Sequence, residues 1–311
     1  MPGNGGGALA VIEKGGHALA FYDVLTGGKQ TTLRLPDYPH EMVVDAQRRY
    51  AYIGHYGVRM SGDAGKGGAA VLAVDLRRRK LINTIDTLPY NRVHGMGIDS
   101  TNRVYALSEA TSQLMSFRDP VRTKTPTSVV PTGGEKTHMF ALTRDGTRAY
   151  VSGLTSNTLS LVRPHDPNTS PRIVSPGARP EGVSLSRDEQ TVYVGAREDG
   201  TIVALDALSL EVMKTRQVDG DPLRVYARPD GCVLVVDIAN NSIAMLDGDL
   251  TELWQMQFDG TPASVSFHPT QPIAYVSQFV ANQIAVVDLS TRRVLREFDT
   301  DVEPDTSAIL A

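Results

Sequence analysis

The sequence predicts an all-β fold: a seven-bladed β-propeller with four antiparallel strands per blade, one domain over residues 1–311 whose first seven residues form a flexible N-terminus. Three observations predict it. A short motif returns seven times, as Pro39-His40-Glu41-Met42, Val93-His94-Gly95-Met96, Thr137-His138-Met139-Phe140, Pro180-Glu181-Gly182-Val183, Pro222-Leu223-Arg224-Val225, Pro262-Ala263-Ser264-Val265 and Pro304-Asp305-Thr306-Ser307. Its second residue steps along the chain by 54, 44, 43, 42, 40 and 42 residues, the period of a propeller blade. Each interval carries runs of alternating apolar and polar residues between turn signals, which is strand patterning.

The elements follow in order. Residues 8–35 supply three strands, Leu9-Ala10-Val11-Ile12, Ala18-Leu19-Ala20-Phe21-Tyr22-Asp23 and Thr31-Thr32-Leu33-Arg34-Leu35. Each motif then opens a blade as its innermost strand. A polar turn such as Arg144-Asp145-Gly146 leads to a second strand, for example Thr191-Val192-Tyr193-Val194-Gly195. A third strand ends in Asp, as in Ala73-Val74-Asp75, and a fourth follows, as in Val294-Leu295-Arg296-Glu297-Phe298. The C-terminal run Thr306-Ser307-Ala308-Ile309-Leu310 is the innermost strand missing from the first three. A blade built from both termini pairs its edges and closes the ring.

One interval is longer than the rest. The excess lies in residues 57–68, a Gly-rich stretch between the second and third strands of the first blade. Its composition suits a surface insertion, or a lid over the face where such loops gather.

The Tyr-Val-Ser and Tyr-Val-Gly strands, together with Asn282-Gln283-Ile284-Ala285-Val286-Val287-Asp288, resemble the YVTN-type (YncE-like) seven-bladed propeller repeat family. The resemblance covers essentially the whole chain. It implies the fold and leaves function open, because such propellers host enzymes, binding modules and scaffolds.

Composition excludes several classes. The net charge of −4 gives no footing for non-specific nucleic-acid binding. No apolar run approaches the roughly 20 residues of a membrane span. Met1-Pro2-Gly3-Asn4-Gly5-Gly6-Gly7 has neither the basic nor the apolar region of a signal peptide. The expectation is a cytoplasmic protein, or a periplasmic one if a signal has been removed. The single cysteine, Cys232, sits in an apolar run and reads as a small core residue. No Gly-x-Ser-x-Gly elbow, Walker motif, Cys-x-x-Cys or dinucleotide fingerprint occurs.

The motif's second position is where chemistry is expected. Innermost strands line a central channel, so equivalent residues form a ring around one axis. That ring reads His40, His94, His138, Glu181, Leu223, Ala263, Asp305. Three of the chain's seven histidines fall in it, which chance would produce on the order of once in a thousand trials given the repeat positions. Imidazoles beside carboxylates are the ligand types of a divalent metal, Zn, Mn or Fe. His40, His94, His138, Glu181 and Asp305 are therefore expected to hold one, the alternative being a water-filled polar channel.

Two further rings flank this one. Two residues before the column, Arg92, Lys136 and Arg179 come from consecutive blades and suit an anionic group on a substrate; Tyr38 shares that ring. The loop after the second strand gives Lys14, His55, Glu109, Leu154, Arg197, Ile238 and Phe279. His55, Glu109 and Tyr56 are candidates for moving a proton, with Arg197 and Tyr90 as further substrate contacts. His17, His165 and His268 read as structural. The expectation is a metal-dependent enzyme acting on a small, carboxylate-bearing substrate: a lyase, lactone hydrolase or isomerase. The arrangement is similar in kind to the His-rich sites of oligogalacturonate and streptogramin lyases, whereas the calcium sites of lactonase propellers are richer in Glu, Asn and Asp. The alternative is a non-catalytic propeller that binds a protein, peptide or small ligand on the same face. Oligomeric state is left open.

Overall fold

Twenty-eight strands, from β1 (Ala8–Glu13) to β28 (Pro304–Leu310), make up the regular structure of the described residues, which include no helix. The computed structural model describes residues 7–310. The expected flexible N-terminus falls, but for Gly7, outside the described residues. The strands form seven four-stranded antiparallel sheets. Six are sequential, and we number these blades one to six from β4 (Pro39–Val44) onward. The seventh has the order β28-β1-β2-β3 (β2, Ala18–Asp23; β3, Lys29–Arg34), so both termini close the ring as the sequence predicts.

The core is divided among the blade junctions. Among the described residues seven apolar clusters occur, each shared by two neighbouring blades. The junction of blades seven and one, for example, packs Ile12, Leu19 and Phe21 against Ile53, Leu72 and Val74. Second strands are covered on both faces, as in Val104–Ser108, while fourth strands such as Arg293–Asp299 are largely exposed. This is the burial expected when sheets stack face to face around an axis. Cys232 is only half-buried, against the cluster between blades five and six.

One irregularity positions the site. In every blade the pairing of the first and second strands slips at the motif. Pro39 pairs with His55 and Met42 with Ile53, so that His40 and Glu41 together oppose Gly54. The same two-against-one count puts His94 and Gly95 opposite Leu107, His138 and Met139 opposite Ser152, and Glu181 and Gly182 opposite Gly195. In blades five and six Leu223 and Ala263 are each a single extra residue without an opposite, and in blade seven Asp305 and Thr306 together oppose Ile12. Such a bulge breaks strict alternation. Two consecutive side chains per blade can then turn toward the axis.

Candidate functional site

The bulge creates two rings. Residues of the upper one, including His40, His94, His138, Glu181, Leu223, Ala263 and Asp305, line a cavity of about 190 Å³ at one end of the channel. The lower ring contributes Glu41, Met139, Gly182, Arg224, Ser264 and Thr306 to a separate cavity of about 210 Å³. Arg224 lines both; it binds the Glu41 carboxylate at 2.5 Å and lies 3.0 Å from the Met139 sulfur. A wider depression of about 510 Å³ lies among the turns of blades three to five and contains none of the histidines.

The three ring histidines differ in state. The Nδ1 of His94 lies 3.0 Å from the carbonyl oxygen of His138. A carbonyl only accepts, so the proton sits on Nδ1 and the lone pair on Nε2. That Nε2 is buried and has no partner among the described residues. Burial, reinforced by the neighbouring His138 and His40, holds the His94 pKa well below the ordinary imidazole range. Gly95 permits the approach of the two blades, because a Cβ there would come within 2.7 Å of the same His138 carbonyl.

His40 turns its Nδ1 to the Asp305 carboxylate. Burial lowers the pKa of His40 despite the opposing charge of Asp305. Asp305 is held well below the usual carboxylate range, because His40, Lys14 and Arg224 outweigh its burial. The neutral ring of His40 thus donates through Nδ1 and keeps its lone pair on Nε2.

His138 has the opposite balance. Its Nδ1 is 2.6 Å from Glu109 and its Nε2 is 3.5 Å from Glu181. Burial alone would lower its pKa, but Glu181 and Glu109 outweigh it and raise the value. The His138 and His94 rings stack with centroids 3.5 Å apart, so an imidazole with a raised pKa lies on one with a lowered pKa. Tyr56, fully buried, donates its hydroxyl to Glu109 at 2.9 Å, and its ring stands edge-on to His94 at 4.8 Å. Burial and Glu109 push the Tyr56 pKa strongly upward.

The candidate ligands therefore divide. One donor atom from each of His40, Glu41 and His94 lies within 4.8 Å of the others. Glu41 was not singled out in the sequence. His138 and Glu181, expected as ligands, are engaged elsewhere: an imidazole facing carboxylates with both nitrogens has no lone pair to offer. Glu181 also accepts from Arg197 at 2.7 Å, and Arg197 pairs with Asp221 through two contacts of 2.6 Å. Asp305 stands behind His40.

The residues expected to bind substrate are largely redirected. Arg92 donates to the carbonyls of Ser61 (3.0 Å), Asp63 (2.5 Å) and Gly65 (2.9 Å) and pairs with Glu109 at 3.3 Å. Lys136 donates to the Ser61 carbonyl at 2.8 Å. These two bases hold the Gly-rich insertion, whose other end is tied to the seventh blade by Arg59 and Glu303. The insertion is thus a strap across the channel mouth, with Met60 and Ser61 lining the cavity. Arg179 does line the cavity, 3.9 Å from Glu198 at the surface.

Three expected contacts lie outside the cavity. His55 sits in a separate surface pocket with Asp37 and Gly68, because its position at the end of the second strand directs it beneath the strap. Tyr90 packs into the cluster between blades one and two. Tyr38 takes an edge-on contact with His17, whose Nδ1 accepts from the Tyr38 amide at 2.9 Å. His165 meets the Tyr105 hydroxyl at 2.8 Å, and His268 caps the amide of Gln271 at 3.1 Å.

Two site residues escaped the sequence reading for one reason. Glu41 and Arg224 occupy the motif's third position, which strict alternation assigns to the blade interior. Charged residues in an innermost strand were the available signal.

The fold and the site define a closed seven-bladed propeller with a histidine- and carboxylate-lined channel. No known family profile matches the chain. YncE of Salmonella typhimurium is 24% identical over 173 residues, covering 52% of this chain, and the chain spans about half the length (48%) of that relative. A putative 6-phosphogluconolactonase from Bacteroides fragilis superposes with a TM-score of 0.77 at 14% identity, over all of both chains. The periplasmic gluconolactonase of Pseudomonas aeruginosa gives 0.76 at 16% identity, over 98% of this chain and 99% of its own. At these identities the structural likeness is one of fold. The sequence similarity to YncE covers about half of the chain, and the seven-bladed fold extends over all of it.

Proposed function

We propose that the protein is an enzyme that holds a divalent cation in the upper channel and acts on a small anionic substrate. The observation that carries this reading is the Nε2 of His94, a buried lone pair without a partner. A histidine whose other nitrogen donates to a carbonyl, beside one backed by a carboxylate, is the arrangement that orients metal-ligating imidazoles. His40 and His94, with Glu41 as the carboxylate, suit Zn, Mn or Fe by ligand type. A cation bound there would polarise a carbonyl or carboxylate oxygen.

The protein's own groups supply the proton chemistry. His138, held protonated by Glu109 and Glu181, is the candidate acid. Lyase, lactone hydrolase and isomerase steps share the need for such a proton donor beside the polarised oxygen; His40, backed by Asp305, could serve as a base only where no metal occupies its Nε2. Arg179 is the basic residue of the expected anion-binding set that still faces the cavity.

A second reading is favoured by one observation: Arg224 already neutralises Glu41, and Lys14 lies in the same cavity. In it, the histidines transfer protons without a metal. Elemental analysis of the purified protein separates the two. The first expects about one equivalent of metal per chain, lost in His94→Ala; metal-free protein in both would remove it.

A further inference from the structure

Lys14 ends the loop side of β1 and is 4% exposed, yet it lines the upper cavity. Its ammonium lies over the Tyr56 ring at 5.4 Å and has neither hydrogen bond nor ion pair among the described residues. The carboxylates nearest in charge, Asp305 and Glu41, are taken by His40 and Arg224. A buried ammonium in that position needs a counter-charge. Burial accordingly lowers its pKa against the pull of Asp305 and Glu41.

The far wall has the opposite character. Leu223 and Ile238 come from blade five, Ala263 and Phe279 from blade six. All four line the cavity, each half-buried, and Met60 of the strap overhangs the mouth. The polar neighbour on that side, Thr261, has its hydroxyl bound to Asn241 at 2.9 Å. A hydroxyl-rich ligand would leave its groups unpaired against this wall. In size, about 190 Å³ exceeds the roughly 150 Å³ that accommodates a benzene ring and falls below the roughly 300 Å³ at which drug-sized pockets begin.

We propose that the cavity binds a small monocarboxylate with an apolar body about the size of a benzene ring, its head on Lys14 and its body against Leu223, Ile238, Ala263 and Phe279. The assignment rests on the reading of the channel as a substrate site and is independent of the metal.

Isothermal titration with phenylacetate, phenylacetamide and gluconate tests it on the full chain. Phenylacetate is expected to bind at least ten-fold more tightly than either of the others. Lys14→Met should erase the preference for acid over amide. Phe279→Ser, at a half-buried position, should weaken phenylacetate several-fold and leave gluconate unchanged. Gluconate binding as tightly as phenylacetate, no binding of phenylacetate, or an acid preference that survives Lys14→Met would each overturn the proposal. Failure of the metal reading would appear instead as metal-free protein, with the order of the three ligands unaltered.

Discussion

The guanidinium of Arg224, from blade five, donates to the carboxylate of Glu41, from blade one, across the axis of the ring. Both side chains are less than a tenth exposed. Removing one partner of such a pair strands the other charge, at a cost of about 3–5 kcal/mol. Arg224→Met should therefore destabilise metal-free protein by that amount in urea unfolding with a chelator present. The same change releases Glu41, so zinc should bind the variant more tightly than the parent in a competition titration. Weaker zinc binding in Arg224→Met would exclude Glu41 as a ligand.

The two stacked histidines should give opposite pH dependences. His138 has a raised pKa, so its contribution to stability is complete below about pH 6.5, the unfolded value, and is lost as pH rises through the folded value. His94 has a depressed pKa. It costs stability as pH falls below about 6.5, where the unfolded chain takes up a proton that the folded one refuses. Unfolding free energies measured at steps from pH 5 to pH 9 should show His138→Gln removing the decline on the alkaline side. His94→Gln should lessen the decline on the acid side, leaving the part that His40 contributes. Parallel curves for parent and both variants would mean that neither environment differs from that of the unfolded chain.

Much of this was legible in the sequence. Repetition exposed the ring of His40, His94, His138, Glu181 and Asp305, because a seven-fold period forces equivalent residues to one axis. The closing blade was legible for the same reason, since residues 8–35 lacked an innermost strand and Thr306–Leu310 supplied one. Side-chain partners were not. Arg92 and Lys136 read as open cations, yet the carbonyls of the strap face them, and backbone carbonyls carry no sequence signature. Glu41 and Arg224 were hidden by the bulge, which changes direction without changing composition. His55 was misplaced because its blade alone carries the insertion that covers it.

The strap gives a third expectation. Of its side-chain attachments, Arg92 makes three, and Lys136 and Arg59 add two more. Trypsin has targets at Arg59 and Lys66 within it. Arg92→Met should raise the rate of cleavage at those two bonds by about ten-fold or more, the result of losing about 1.4 kcal/mol of local stability. Mass spectrometry of timed digests reads the sites. Cleavage rates equal to those of the parent would show that the remaining attachments suffice.

The ring closure can be tested first at a residue outside the channel. Ile309 is 2% exposed and packs with Leu9, Tyr22, Tyr275 and Ile284 at the junction of blades six and seven. Its pairing with Leu9 joins the C-terminal strand to the first strand of the chain. Ile309→Ala removes buried methylenes at a junction that cannot collapse without moving a whole blade, so it should cost about 2–5 kcal/mol. Deleting residues 305–311 goes further, because β1 then presents unpaired backbone groups and blades six and one lose the strand between them. At roughly 2–4 °C per kcal/mol for a protein of this size class, the truncated protein should melt more than about 10 °C below the parent in a scanning measurement. Ile309→Ala should fall between the two. That order follows from a ring in which each blade is held by two neighbours; a truncated protein melting with the parent would mean that the circle does not depend on its last strand.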